Sequence, residues 1–293
     1  MSPGRSRTPF GARLATAMDV HGPLCVGIDP HPGLLAAWGL PDDATGMREF
    51  AARVMDAVGG HVAAVKPQSA LFERHGSAGV AVLEEVVAAG RSAGTLVIVD
   101  AKRGDIGSTM TAYADAYLRD GSPLAGDALT VSPFLGFGSL GPAVEAALAT
   151  GRGLFVLALT SNPEGASVQH AAAPAPATDS VAGMIAAAAG ELNAAELART
   201  GAQLGSVGLV VGATVGDAVR RLGLDLAAVR GPLLAPGVGA QGAGAAELAA
   251  VFGAARGAVL ASSSRSVLAA GPDVSALREA ARRGADNATI ALR

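Results

Sequence analysis

The stretch LVIVDAKRGDIGST, residues 96–109, opens as an unbroken apolar run and then carries Asp100, Lys102, Arg103 and Asp105 within six residues. The whole chain is only 16% charged, and charge at the end of a buried strand must be paired or solvated. Asp100 and Lys102 stand two apart, the spacing that puts two side chains on one face of a strand. Asp105 lies past the strand, in a turn toward the next helix, and need not enter the same pocket. A lysine held between carboxylates keeps its proton, because opposite charge favours the ammonium. Such a lysine is a proton donor rather than a Schiff-base amine, which suits protonation of a carbanion-like centre. The competing reading is a surface salt-bridge cluster with no chemistry.

A second group of residues points to phosphate. APGVGAQG, residues 235–242, is a glycine-rich loop whose backbone N–H groups, with the Gln241 amide, can face an anion. Arg265, in SSSRS, adds a planar cationic fork.

Both groups need elements to position them. Eight short runs rich in Val and Leu recur at 24–29, 63–68, 95–102, 128–133, 153–161, 207–214, 233–238 and 258–265. They are continuous rather than alternating, as parallel strands covered on both faces require. Helical spacing fills the gaps, as in GMREFAARVMDAV, AGVAVLEEVVAAGRSAG, TAYADAYLRD and AGMIAAAAGELNAAELARTG. Eightfold alternation predicts an α/β fold, a single (β/α)8 TIM barrel occupying residues 1–293 as one domain. A doubly wound sheet is the runner-up, but GIDPHPG stands where a G-x-G-x-x-G would follow the first strand. In a barrel, all strand C-terminal ends share one face. Asp29, Lys66, Asp100, Lys102, Ser161 and Arg265 fall at such ends. The loops after strands seven and eight are a common phosphate site in barrels, which places Gln241 and Arg265 well. Residues 162–180, NPEGASVQHAAAPAPATDS, break the rhythm and read as a loop insertion or lid after the fifth strand.

Composition narrows the classes. A net charge of −3 and 3% aromatics offer neither a basic face nor stacking platforms for nucleic acid. No window reaches the roughly 18 apolar residues of a membrane span, and the N-terminal MSPGRSRTPFGARL has no apolar secretory core. The single cysteine, Cys25, cannot form an internal disulfide and suits a reducing cytoplasm. With no neighbouring histidine to activate it, Cys25 reads as a small buried hydrophobe. His21, His31, His61, His75 and His170 are scattered without zinc-site spacing, and His31 alone lies near a strand end.

The motifs taken together, GIDP, VKPQ, DAKRGDI, TSNP, APGVGAQG and SSSRS, resemble the orotidine 5'-monophosphate decarboxylase family from about Phe10 to about Gly271. The length, the TPFGARL opening and the segment after TSNP look like its longer bacterial branch. The resemblance implies a homodimer that converts orotidine 5'-monophosphate to uridine 5'-monophosphate and carbon dioxide, the last step of de novo pyrimidine synthesis. It implies no metal and no organic cofactor. Asp29 and Lys66 would hold the ribose hydroxyls, Asp100 would sit beside the substrate carboxylate, and Lys102 would protonate C6. Asp105 and Thr109 would reach across the interface into the partner's site, completing an Asp–Lys–Asp–Lys array with Lys66 among the catalytic groups. Ile106 would line the pocket for the leaving carboxyl group, and Ser161 would meet the pyrimidine edge. Pro236 would contact substrate, while Gln241, Arg265 and the backbone near Ser264 would hold the phosphate. Some relatives have Gly where Ser264 stands. Two rivals remain: a magnesium-dependent phosphosugar decarboxylase or aldolase sharing the D-x-K-x-x-D core, and a non-catalytic nucleotide-binding barrel.

Overall fold

The structure, a computed structural model, describes residues 7–172, 180–238 and 243–292. Its eight strands are β1 (Leu24–Ile28), β2 (Ala64–Pro67), β3 (Leu96–Arg103), β4 (Ala128–Val131), β5 (Gly153–Leu159), β6 (Val207–Val211), β7 (Leu233–Pro236) and β8 (Val259–Ser263). They close in sequence order into a barrel, every neighbouring pair parallel. The seam is the β1–β8 pairing, with Leu24 opposite Ala261. Closure excludes the doubly wound alternative, which would leave two open edges.

The apolar runs form strands because both of their faces are covered. One face of each meets the helical ring, where Val26, Val65, Val97, Leu129, Val156 and Leu209 join a continuous core with the helices. The other face fills the interior with Cys25, Ala64, Ile98, Ala128, Phe155, Val210, Leu234 and Leu260. The first helix, Phe10–His21, plugs the interior from below. The Phe10 ring meets Phe155 edge-on, with centroids 5.9 Å apart. Gly153 makes room for it: a Cβ there would stand 2.1 Å from the Phe10 ring.

The ring helices follow from sequence rules. Ala44–Val58 starts at Asp43, whose carboxylate accepts from Thr45 N and Gly46 N as an N-cap. Gly76–Ala93 stops at Gly94, in the left-handed conformation that glycine adopts without strain. Gly107–Leu118 follows β3 and Val181–Thr200 follows β5.

Two boundaries differ from expectation. β5 ends at Leu159, so Ser161 lies in the following loop; β8 ends at Ser263, and Arg265 opens a short helix, Arg265–Leu268. The segment read as a loop over 162–180 begins instead with a 3-10 turn, Pro163–Gly165, and a helical turn, Ala166–Gln169. Gln169 folds back, its Oε1 accepting from Thr160 N at 2.8 Å, so this part is tied to the strand end rather than free. Residues 173–179 of that segment lie outside the described residues. Among the described residues, no helix is long and apolar enough to cross a membrane.

Candidate active site

The C-terminal mouth of the barrel opens into a cavity of about 960 Å³, at the upper end of the usual range for small-molecule sites. Its floor is set by the strand period of two. On β2 and the residue just past it, Lys66 and Gln68 point inward; on β3 Asp100 does, and on β4 Thr130. An isolated bridge between Gln68 and Asp100 carries the β2–β3 pairing up to the mouth.

Asp100 is the centre of this floor. Its side chain is 8% exposed and receives four donors. Lys66 Nζ lies 2.7 Å and Gln68 Nε2 3.1 Å from Oδ2, while Lys102 Nζ lies 2.6 Å and Thr130 Oγ1 2.8 Å from Oδ1. A carboxylate can only accept, so four donors on two oxygens suit the ionised form. Burial works against ionisation, yet the two ammonium groups outweigh it and hold the Asp100 carboxyl well below the usual carboxylate range. Lys66 is buried too, and burial alone would favour its neutral form. The Asp100 and Asp29 carboxylates overcome that and raise it well above the ordinary lysine range. Within one chain Lys66 thus feels two carboxylates, Asp100 and Asp29.

Lys102 reaches Asp100, but not by simple strand alternation. Between Val99 and Arg103 the pairing advances four residues on β3 and two on β4. Lys102 takes up this bulge with φ of 48°, the left-handed region a side chain rarely adopts. Its backbone N donates to Thr130 Oγ1 at 2.9 Å. Thr130 thus links the bulge to the carboxylate, and the Lys102 ammonium is turned back toward Asp100 while 44% of its side chain stays open to the cavity.

The remaining residues divide by location. Asp29, Ser161, Pro236, Ser264 and Arg265 line the cavity, as does His31. The Asp29 Oδ1 atom is buried without a hydrogen-bond partner. A carboxylate oxygen left so is fitted for a hydroxyl donor from a ligand. Gly27, one turn of the pleat below Asp29, has no side chain because Ser264 occupies the space: a Cβ would fall 1.8 Å from Ser264 Oγ. Gln241 lies outside the described residues. Asp105, Ile106 and Thr109 do not line the cavity of their own chain. Asp105 Oδ1 accepts from Ile106 N at 2.8 Å, Ile106 precedes the helix Gly107–Leu118, and its side chain is turned out, 62% exposed. The pocket role expected of Ile106 is thus not one that this chain's own cavity displays.

Gln68 and Thr130 escaped the reading of the sequence. The signal was present: each is a polar residue two places after an inward-facing one, Lys66 and Ala128, in an otherwise apolar run. Cys25 sits in the barrel interior, where burial pushes its thiol up to about 12, the inert state expected of a packed cysteine. Among the described residues, no three His, Cys, Asp or Glu side chains are grouped to hold a metal ion.

The floor can thus do one thing well. It holds a carboxylate between two fixed ammonium groups, one of them facing a roomy cavity whose rim carries Arg265. Known proteins resemble this chain over nearly its whole length. The family model for orotidine 5'-phosphate decarboxylase / HUMPS matches residues 22–280. An orotidine 5'-phosphate decarboxylase of Salinispora arenicola is 62% identical over 275 residues, 94% of this chain and 95% of that protein. A crystal structure of a Streptomyces avermitilis protein is similar with a TM-score of 0.92 and 58% identity, over 100% of this chain and 99% of that one. The structure of Leishmania donovani OMP decarboxylase is similar with a TM-score of 0.70 and 29% identity, covering 95% and 97% of the two chains.

Proposed function

The chain belongs to the orotidine 5'-phosphate decarboxylase / HUMPS family, and from that membership we propose that it decarboxylates orotidine 5'-monophosphate to uridine 5'-monophosphate. The observation that carries the proposal is the Asp100 carboxylate bridged by Lys66 and Lys102 at the floor of the cavity. The nucleotide phosphate meets Arg265 and the backbone near Ser264, with the Gln241 amide as a further donor. The ribose hydroxyls meet Asp29, through its unpartnered oxygen, and Lys66. The pyrimidine edge lies toward Ser161 and Pro236, and the substrate carboxylate lies beside Asp100.

The reaction breaks the C6–carboxyl bond. Carbon dioxide leaves, the bonding pair stays on C6, and the Lys102 ammonium gives C6 a proton; solvent then reprotonates Lys102. Asp100 and the substrate carboxylate repel each other in the ground state. The repulsion falls as charge moves to C6, where Lys102 attracts it. Interactions that strengthen toward the transition state are the ones that raise the rate. Arg265 is far from the reacting carbon in the substrate, so its binding energy can be used to orient the base and exclude water.

The outward position of Asp105, Ile106 and Thr109 supports a homodimer in which these residues serve the partner's cavity. Phe134 and Leu135, in the loop after β4, are exposed apolar side chains as well, 75% and 54%. Exposed apolar side chains of this kind favour association of two copies.

The test is the absorbance change on adding orotidine 5'-monophosphate to the purified protein. Loss of the substrate absorbance with stoichiometric carbon dioxide release is expected, undiminished by EDTA. Activity abolished by EDTA and restored by magnesium would favour the phosphosugar branch, and uridine nucleotide binding without turnover would favour a non-catalytic barrel.

A further inference from the structure

The residue after Lys102 faces the opposite way. Arg103 leaves the outer side of β3, where its Nη2 donates to Tyr117 Oη at 3.1 Å and to the Glu73 carboxylate. Its guanidinium carbon stands 5.6 Å from the ring centroids of both Tyr113 and Tyr117, within the range of cation–π attraction. Glu73 is held in turn by Ser69, whose hydroxyl donates to the same carboxylate oxygen at 2.5 Å. The Arg103 Nε is buried without a partner. The fork is therefore placed by the two rings and Glu73, not by a drive to satisfy all its donors.

The elements it touches are the ones that carry the rest of the site. Glu73 ends the short helix Ser69–Glu73 directly after β2, the strand of Lys66. Tyr113 and Tyr117 lie on Gly107–Leu118, the helix that begins just after Asp105 and contains Thr109. On the chain, Arg103 sits between the strained Lys102 and that helix. A left-handed non-glycine backbone is strained and persists where its surroundings over-determine it. Thr130 Oγ1 holds Lys102 N, and Ser132 N donates to Arg103 O at 2.8 Å. Both anchor the bulge toward β4. The Arg103 side chain anchors it from the opposite direction, toward the helices.

We infer that Arg103 is a positioning residue: its clamp on Glu73, Tyr113 and Tyr117 holds the left-handed turn that aims Lys102 at Asp100 and fixes the start of the helix bearing Thr109. The inference rests on the proposed role of Lys102 as proton donor. It concerns alignment, so it affects turnover more than binding, since a displacement of about 1 Å in a reacting group costs roughly 100-fold.

The test uses Arg103→Met, which keeps the apolar stem between the rings and removes the fork. Turnover of orotidine 5'-monophosphate should fall about 10- to 100-fold, with KM and uridine 5'-monophosphate affinity within about threefold of wild type, the uniform binding being untouched. Arg103→Lys, which can still pair with Glu73, should recover part of kcat. In a crystal structure of Arg103→Met, Lys102 should leave the left-handed region and its ammonium should part from Asp100. A kcat within twofold of wild type, or an unchanged Lys102 backbone and Asp100 contact, overturns the inference. Should Arg103→Met fail to fold, Tyr117→Phe removes one contact to Nη2 and should lower kcat in the same direction by a smaller factor; an unchanged kcat there overturns it equally. A wild type that does not turn over the substrate would retire the decarboxylase reading instead, and the crystal comparison would still decide what holds Lys102.

Discussion

At the scale of single residues, the site works by charge placed where burial would normally forbid it. Lys102→Ala should reduce turnover by at least ~10⁴-fold, because it removes both a general acid and the cation facing the developing carbanion. The circular dichroism spectrum and uridine 5'-monophosphate affinity should stay close to wild type; near-normal turnover by such a folded variant would end the mechanism. Arg265→Ala should raise KM about 10- to 100-fold, the loss of one or two charge-assisted hydrogen bonds, and lower kcat as well if phosphate binding is used in the chemical step. Equal affinity of wild type and variant for uridine 5'-monophosphate would show that the phosphate is held elsewhere. The pH response follows from direction alone. The Asp100 carboxyl is depressed in the folded state, so its contribution to stability is complete above its unfolded value near about pH 4 and is lost as pH falls toward the folded value. Lys66 is raised, so its contribution is complete below about pH 10 and is lost only as pH rises through its folded value. Urea denaturation of wild type and Asp100→Asn should therefore show a constant gap from about pH 5 to 8 that narrows below about pH 4. A gap that grows on acidification would reverse the assignment.

At the scale of elements, strands position the groups and small residues let the strands come close. β1 and β8 meet at the seam, and Gly27 leaves the space that Ser264 fills. Gly27→Ala should push Ser264, and with it the start of the Arg265–Leu268 turn, away from the cavity wall. Overpacking of about 1–3 kcal/mol corresponds to a KM raised roughly 5- to 100-fold. Ser264→Gly on the same chain should restore the space and most of the affinity. A double variant no better than Gly27→Ala would place the defect in the β1 backbone rather than at the phosphate end. The bulge in β3 belongs to this scale as well. Regular alternation would have aimed Lys102 alongside Asp100; the extra residues and the left-handed turn aim it back at the carboxylate.

At the scale of the whole molecule, the proposed four-membered charged array calls for a second chain. Lys66, Asp100 and Lys102 share a floor, while Asp105 does not line that cavity. If Asp105 completes the partner's site, Asp100→Ala and Asp105→Ala homodimers should each be nearly inactive. Unfolded and refolded together, about half of the dimers should be mixed, each with one doubly mutated and one intact site. Activity should recover to about one quarter of wild type. With verified mixed dimers and no recovery, Asp105 would serve its own subunit or no site at all. Each homodimer carried alone through refolding is the control.

The barrel, and the gathering of charge at its mouth, could be read from the chain alone. Eight continuous apolar runs require eight strands covered on both sides, and the charges at their C-terminal ends can gather only where parallel strands end together. Asp29, Lys66, Asp100 and Lys102 were legible for that reason, and the D-x-K-x-x-D-I spacing carried the family. The contacts between strands emerged only in the folded chain. That Thr130 and Gln68 complete the shell of Asp100 depends on the register of β4 and of the β2 end against β3, which spacing within one strand cannot give. That Lys102 reaches Asp100 through a left-handed turn depends on a bulge forced by the neighbouring strand. That Arg103, next to it in the chain, is gripped by two tyrosines and a glutamate from separate helices depends on packing around the outside of the barrel. Periodicity tells which face a side chain leaves from; the distance it reaches, and what meets it there, is set by elements far away in the chain.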